Sequence, residues 1–333
     1  MNDVRWLWPR VCLAVCAVLG AGSCTTAPSE QQPRSETSPE SSRELGPDAA
    51  PRAFATVVHD AKRPYIWPLL GPGDVEVTRA FPMAERDGES QDHPHHQSLW
   101  LAHGDVNGFD FWHGSKRGEH QRCVRSSERL LAAEGHAAGG HVYEADYEWT
   151  LADGSVQLHE TRIWTTIDHG TWRSVAVQST LRAGELPVVF GDTKEGMFAV
   201  RVRPELRCEG PRATAGLRNS EGHQDGDVWG KRARWIDSTG TVDGQPFGVA
   251  MFDHPSNLRH PTWWHARRYG LLAANPFGVH DFERKPKGAG DFTLAAGKAL
   301  VQRYLIVLHP GFDEDRLEQL YQEFGSAVDE PLR

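Results

Sequence analysis

The sequence predicts an all-β protein, a large two-sheet antiparallel sandwich with a short C-terminal helix. Segments 142–149, 156–166 and 172–181 alternate apolar and polar residues with period two, as half-buried strands do. The turn sequences Ala-Asp-Gly at 152–154 and Asp-His-Gly at 168–170 separate them, so neighbouring strands should run antiparallel. Many strands with few helices form a sandwich or a barrel.

Further elements follow towards the C-terminus. Strands are predicted at 232–236, 240–242, 247–252 and 300–308. The pair Asp243-Gly244 is typical of a hairpin turn. The one segment with helical periodicity begins at Asp313, a predicted N-cap, and should stop at Gly325. Its apolar face is formed by Leu317, Leu320, Tyr321 and Phe324.

Residues 1–23 are typical of a lipoprotein signal peptide. The apolar stretch 11–21 is shorter than the roughly 20 residues that a membrane-spanning helix needs. Small residues at 20–23 precede Cys24, which would carry the lipid after cleavage. An ordinary secretory signal is the alternative. Because Thr25, and not Asp, follows the cysteine, we expect a lipid-anchored protein on the periplasmic side of the cell envelope, with the outer membrane favoured.

Residues 24–53 differ in composition from the rest of the chain. They are rich in Ser, Pro, Glu and Thr, and such a segment buries too little apolar surface to offset its ordering entropy. We therefore predict a disordered tether at 24–53 and a single domain at 54–333. Of the cysteines in that domain, Cys123 and Cys208 could form a disulfide or remain as two thiols, since sequence does not fix their distance.

The net charge of −9 disfavours a nucleic-acid partner. The chain contains seventeen histidines, and several of them lie in residues 91–113, which include the sequence Asp-His-Pro-His-His. In an extended chain His93 and His95 would point one way and His96 the other. A divalent metal held by His93 and His95, acid–base catalysis by His96 or His103, and a structural turn are the alternatives. No zinc motif or other cofactor signature is present.

Other segments supply further candidate residues. Glu195 is a candidate general base, with Asp192, Lys194 and Arg201 as substrate-binding residues. A solvated hairpin tip with a surface ion pair is the alternative for this segment. Aromatic and basic residues that could stack on or bind a sugar occur later, at Trp229, Lys231, His254, Asn257 and Trp264, and His265 is a further catalytic candidate.

These segments resemble a known bacterial family. The sequence 63–72 (RPYIWPLLGP), then 92–96 (DHPHH) and 103–108 (HGDVNG), is similar to the family labelled methane oxygenase PmoA, over about 54–325. The resemblance implies a companion of sugar-degrading systems and a fold like the galactose-mutarotase supersandwich. Methane monooxygenase activity is not expected, because those subunits span the membrane.

The sequence thus predicts an exported lipoprotein that acts on or binds a carbohydrate. An epimerase, lyase or hydrolase would use histidine as acid and base. A carbohydrate-binding protein without chemistry and a structural envelope lipoprotein are the alternatives. The enzymatic interpretation requires histidines that are far apart in the chain to meet in one pocket.

Overall fold

Two antiparallel sheets pack face to face in the computed structural model, which describes residues 53–326 except 115, 134, 136 and 138. The strands are β1 (Ala55–Val58), β2 (Tyr65–Leu69), β3 (Leu99–His103), β4 (His120–Leu131), β5 (Gly139–Thr150), β6 (Val156–Asp168), β7 (Arg173–Arg182), β8 (Val188–Phe190), β9 (Gly196–Arg201), β10 (Gly216–Asn219), β11 (Trp235–Val242), β12 (Gln245–Asp253), β13 (Trp263–Trp264), β14 (Leu271–Asn275), β15 (Phe292–Leu294) and β16 (Ala299–His309). The helices are α1 (Val279–Glu283) and α2 (Glu314–Ser326).

The predicted sandwich is confirmed by the order of the strands. One sheet has six strands in the order β1-β2-β3-β9-β14-β13. The other has eight, in the order β10-β11-β12-β16-β7-β6-β5-β4. Strands β8 and β15 form a separate pair. The main core lies between the two large sheets, and its members include Leu99 and Leu101 from one sheet and Trp149 and Trp164 from the other.

The alternating segments form the middle of the eight-stranded sheet. Strands β5, β6 and β7 pair as neighbours in antiparallel register, and the Asp243-Gly244 turn joins β11 to β12. The strand predicted at 232–236 was placed too early, because β11 begins only at Trp235. Arg232 instead forms an isolated bridge to Trp263.

A buried ion pair between Glu160 and Arg162 lies on the inner face of β6, which points into the main core. The Glu160 carboxylate accepts hydrogen bonds from Arg162 Nε at 2.7 Å and Arg162 Nη2 at 2.7 Å. It also accepts from Ser179 Oγ at 2.6 Å and from Trp149 Nε1 at 2.9 Å. Both charged side chains are fully buried, with 0% exposure. A charge this deep is tolerated because its partners satisfy most of its hydrogen-bonding capacity.

The C-terminal helix α2 covers the other face of the eight-stranded sheet. Its predicted apolar face packs against strand residues that include Trp235, Phe252 and Leu305. Asp313 Oδ1 accepts a hydrogen bond from Arg316 N at 2.9 Å, as an N-cap does. The helix extends past Gly325 to Ser326, so the predicted stop was one residue early. No helix in the described part of the chain is long and apolar enough to cross a membrane.

Several predictions lie outside the described residues: the signal peptide 1–23, the lipidated Cys24, the tether up to residue 52 and the last residues of the domain. Cys123 and Cys208 are both described, and both are free thiols that are partly buried. Burial raises the pKa of Cys208 to about 11, so this thiol is protonated near neutral pH.

Candidate functional site

The outer face of the six-stranded sheet carries the candidate site. In the strand register, Trp100 lies opposite Ala199, and Ala199 opposite Ala273. Alternation places these side chains on the face away from the main core, because Leu99 and Leu101 point into it. Ala199, Ala273 and the Trp100 indole together form the floor of the candidate site. Because alanine side chains are small, larger side chains from the loops can extend over this floor.

Four imidazole rings are in contact above this floor. The ring of His96 stacks on Trp100 with centroids 5.3 Å apart, and His93 stacks on His96 at 4.8 Å. His95 lies 4.4 Å from His96 and 4.4 Å from His113. The prediction that His96 would point away from His93 and His95 was therefore wrong. The backbone is not extended there: His93 has a φ of 44°, and His96 N donates to His93 O at 2.9 Å.

Arg201 closes one side of the imidazole cluster. Its Nη1 lies 3.3 Å from His96 Nδ1, and its Nη2 donates to Asp92 Oδ1 at 2.9 Å. Its guanidinium carbon lies 4.4 Å from the centroid of the Tyr269 ring. His93 stacks on the same ring at 5.4 Å. Arg201, predicted as a substrate-binding residue, is thus buried at the site and bound to protein groups.

The segment before β9 brings a carboxylate to the site. Glu195 O accepts a hydrogen bond from Gly104 N at 2.7 Å, which fixes the segment against β3. The Glu195 side chain is 19% exposed and lies 2.5 Å from Lys194 Nζ. His265 Nδ1 donates to Lys194 O at 2.9 Å, so His265 lies beside the same pair. This is the surface ion pair that the alternative interpretation of the segment anticipated.

Three histidines of the candidate site, His113, His265 and His95, have different pKa values. The hydrogen bond to Asp110 raises the pKa of His113, and Glu195 adds to this effect. Burial lowers the pKa of His265 to about 4, although the Glu195 carboxylate opposes that shift. Burial, with help from His113 and Arg63, lowers the pKa of His95 to about 3. The pKa of His113 is therefore shifted in the direction opposite to those of His95 and His265, which are neutral at pH 7.

His103 lies on the opposite face of the same sheet. Its ring packs between Phe190 and Phe277, with centroids 5.8 and 4.7 Å away. Its Nε2 donates to Gly191 O at 2.9 Å, and burial lowers its pKa to about 4. His103 is therefore separated by the sheet from His96 and His113.

Asp192 is buried and bound by the backbone. Its carboxylate accepts hydrogen bonds from His280 N at 2.9 and 3.1 Å and from Gly290 N at 2.8 Å. Its own backbone N donates to Asp291 Oδ1 at 2.7 Å. These contacts are those of a group that joins two loops, and they leave the carboxylate little capacity for a ligand.

The later candidates are divided between two parts of the molecule. His254 and Asn257 lie next to helix α2, where the His254 ring is 4.9 Å from Phe324 and Asn257 binds Asp253 and the backbone of β16. Trp264 is a core residue whose Nε1 donates to Ala233 O at 2.9 Å. Of these later candidates, His265 lies beside Lys194 and Glu195.

Trp229 and Lys231 lie beyond His265. The Trp229 ring packs edge-on against Phe282 at 5.5 Å, and Phe282 lies 6.3 Å from the His265 ring. Lys231 is exposed to solvent. Trp229 can therefore extend the candidate site on that side, whereas the Lys231 side chain lies in solvent.

Sequence reasoning missed two members of the site. His113 was within the histidine-rich segment but was given no role, and Tyr269 was not considered. Tyr269 lies in Arg267-Arg268-Tyr269-Gly270, where Gly270 has a φ of 96° and Gly270 N donates to Arg267 O at 2.8 Å. That tight turn, with two basic residues and an aromatic ring before the strand, was the available signal.

The described residues contain no group of three or more His, Cys, Asp or Glu side chains arranged to hold a metal ion. The imidazoles of the cluster instead contact each other ring to ring. Metal binding by His93 and His95 remains a prediction.

Stability should depend steeply on acid pH. His103 and His265 have a pKa of about 4 in the folded protein, whereas a histidine in the unfolded chain has a pKa of about 6.5. Between these values the unfolded chain binds more protons, so the free energy of unfolding should fall as the pH falls from 6.5 to 4. Each site contributes up to about 1.4 kcal/mol per pH unit. Urea unfolding at several pH values measures the slope of the free energy of unfolding against pH. His103→Gln should reduce the number of protons taken up on unfolding by about one. An unchanged slope in that variant would contradict the assignment.

The chain belongs to the DUF6807 family, a family of unknown function, whose model matches residues 52–322. No curated protein matches the sequence. The PmoA resemblance and the lipoprotein signal remain predictions.

The fold is similar to parts of larger solved structures. One is a β-arabinopyranosidase, with 10% identity and a TM-score of 0.42 over 77% of this chain and 38% of that chain. A GH36 α-galactosidase from Geobacillus stearothermophilus in complex with raffinose has 10% identity and a TM-score of 0.40 over 79% and 40%. The α-galactosidase from Lactobacillus brevis has 9% identity and a TM-score of 0.34 over 75% and 32%. This chain spans less than half the length of these proteins.

Proposed function

We propose that this member of the DUF6807 family binds a carbohydrate on the outer face of its six-stranded sheet and transfers protons on it. One observation carries the proposal. Glu195 lies within electrostatic reach of His113 and His265, although the three residues come from separate parts of the chain. Two imidazoles with opposite pKa shifts around one carboxylate are the arrangement that acid–base catalysis requires.

The roles follow from the protonation states. His113, whose pKa is raised by Asp110, is the proton donor. Glu195, partly exposed, is the base that takes a proton from a sugar carbon or from water. His265 is neutral and can accept a hydrogen bond or a proton. Epimerisation, elimination and hydrolysis all use such a pair of groups, so the proposal covers a carbohydrate isomerase, lyase or hydrolase.

Proton exchange tests the chemistry directly. The protein should be incubated in D₂O with a panel of neutral and acidic sugars and their oligosaccharides, and NMR should detect deuterium at a sugar carbon or a new product. Exchange or turnover supports the proposal. Sugars that bind without exchange or turnover would contradict the catalytic part.

A carbohydrate-binding protein without chemistry is the second candidate. The specific observation in its favour is the 2.5 Å contact between Lys194 Nζ and Glu195 Oε1, since the ammonium group occupies a carboxylate oxygen that a base would have to present to the sugar. A Lys194→Met variant separates the two candidates. If Glu195 is the base, this variant should change the pH dependence of turnover.

We propose further that this activity takes place in the cell envelope. Small residues before Cys24 and the apolar stretch at 11–21 support export and lipidation, and the PmoA resemblance supports a role beside sugar degradation. In a bacterial host, the wild-type protein should fractionate with membranes, and Cys24→Ser should shift it out of them. Equal membrane association of both proteins would overturn the lipid anchor.

A further inference from the structure

Positive charge at the site is only partly neutralised. Asp92 is shared by two guanidinium groups, those of Arg79 at 2.5 Å and Arg201 at 2.9 Å. Arg63 donates to backbone carbonyls and to Gln97, and it forms no ion pair among the described residues, although the Asp110 carboxylate acts on its charge. Arg267 likewise has no ion-pair partner in the described part of the chain. With Lys194, which pairs with Glu195, these cations outnumber the carboxylates of Asp92, Asp110 and Glu195, in a chain whose net charge is −9.

Several buried hydrogen-bond donors at the site lack an acceptor. Four buried N–H groups have no acceptor among the described residues: Arg63 Nε, Trp100 Nε1, Trp112 Nε1 and Arg201 Nε. All four belong to one connected cluster, because Arg63 donates to Trp112 O, the two indoles lie 5.2 Å apart, and His96 joins Trp100 to Arg201. Their uncompensated positive ends add to the field of the guanidinium groups.

Arg267 is the exposed member of this group. Its guanidinium carbon lies 5.8 Å from the centroid of the Tyr269 ring, on which Arg201 also rests. Its charge acts on the Tyr269 hydroxyl and on His265. A guanidinium without an ion-pair partner can bind a carboxylate with two parallel hydrogen bonds.

We infer that the ligand is an acidic carbohydrate, a sugar that bears a carboxylate, and that Arg267 selects for its charge. The inference rests on the proposed function, since it names the substrate class of the same site. It assigns to Arg267 a role in recognition, separate from the proton transfers at Glu195 and His113.

Matched pairs of sugars test the inference. Calorimetry should compare glucuronate with glucose, galacturonate with galactose and mannuronate with mannose, together with their oligosaccharides. We expect the preferred acid to bind at least tenfold more tightly than its neutral partner, and its affinity to fall with added salt. Arg267→Gln should remove that preference, and Arg267→Lys should restore part of it.

The neighbouring Arg268 provides the control. It is exposed and pairs with Glu209 at 3.4 Å, away from the Tyr269 ring, so Arg268→Gln should keep the preference for acids. Equal losses in the two glutamine variants would overturn the assignment to Arg267. If neutral sugars bind as tightly as acids, the inference fails while the proposed function stands. If no sugar binds, both fail.

Discussion

Glu195→Gln should reduce turnover of the preferred sugar by about 10²–10⁴-fold, the usual contribution of a general base. The amide keeps the size of the side chain but cannot accept the proton. Binding should change much less, because the backbone bond from Gly104 N to Glu195 O is retained. The loss should therefore appear in kcat and not in the dissociation constant. Steady-state kinetics and calorimetry measure the two quantities.

Glu185→Gln is the matched control, since Glu185 is an exposed glutamate elsewhere on the surface. It should leave turnover unchanged. A Glu195→Gln variant with wild-type kcat would exclude Glu195 as the base and leave the carbohydrate-binding interpretation.

Glu160→Ala should lower the free energy of unfolding by about 3–5 kcal/mol, because it leaves the buried Arg162 guanidinium without its carboxylate. The same change also deprives Ser179 Oγ and Trp149 Nε1 of their acceptor. Urea denaturation measures the loss. Replacing both members of the pair by Met should recover much of the stability, since it removes the unpaired charge and the cost of its desolvation.

An exposed pair on the neighbouring strand supplies the comparison. Glu148 pairs with Arg122 and is 22% exposed, so Glu148→Ala should cost less than about 1 kcal/mol. The account of the buried pair fails if Glu160→Ala is no more destabilising than Glu148→Ala.

The strands predicted from the sequence all belong to the eight-stranded sheet, where they correspond to β5, β6, β7, β11, β12 and β16. Strands β5 and β6 alternate over part of their length because each has one face in the core and one face less buried, and this alternation is visible in the sequence. Strands β3, β9 and β14 are buried on both faces, so their residues are nearly all apolar or small and show no period of two. These are the strands that form the floor of the site, and their pairing depends on contacts distant in sequence.

The site was predictable in its residue types more than in its geometry. His96 does contact Arg201, and His265 contacts the backbone of Lys194, next to Glu195. His254 contacts neither group, because the loop after β12 is fixed at Asp253, whose carboxylate binds Asn257 Nδ2 at 2.7 Å and His260 Nδ1 at 2.7 Å. That hydrogen bonding holds His254 near helix α2, eleven residues before the chain reaches His265. Sequence spacing alone does not reveal such a division.

Asp192 has a consequence for how the site would meet a ligand. It lies three residues before Glu195 and anchors that segment to the loops at His280 and Gly290 through three backbone hydrogen bonds. The segment is therefore preorganised: the position of Glu195 is set before a ligand arrives, and binding would not have to spend free energy on ordering it. Asp192, a candidate substrate-binding residue in the sequence, would then contribute to the reaction by fixing the position of Glu195.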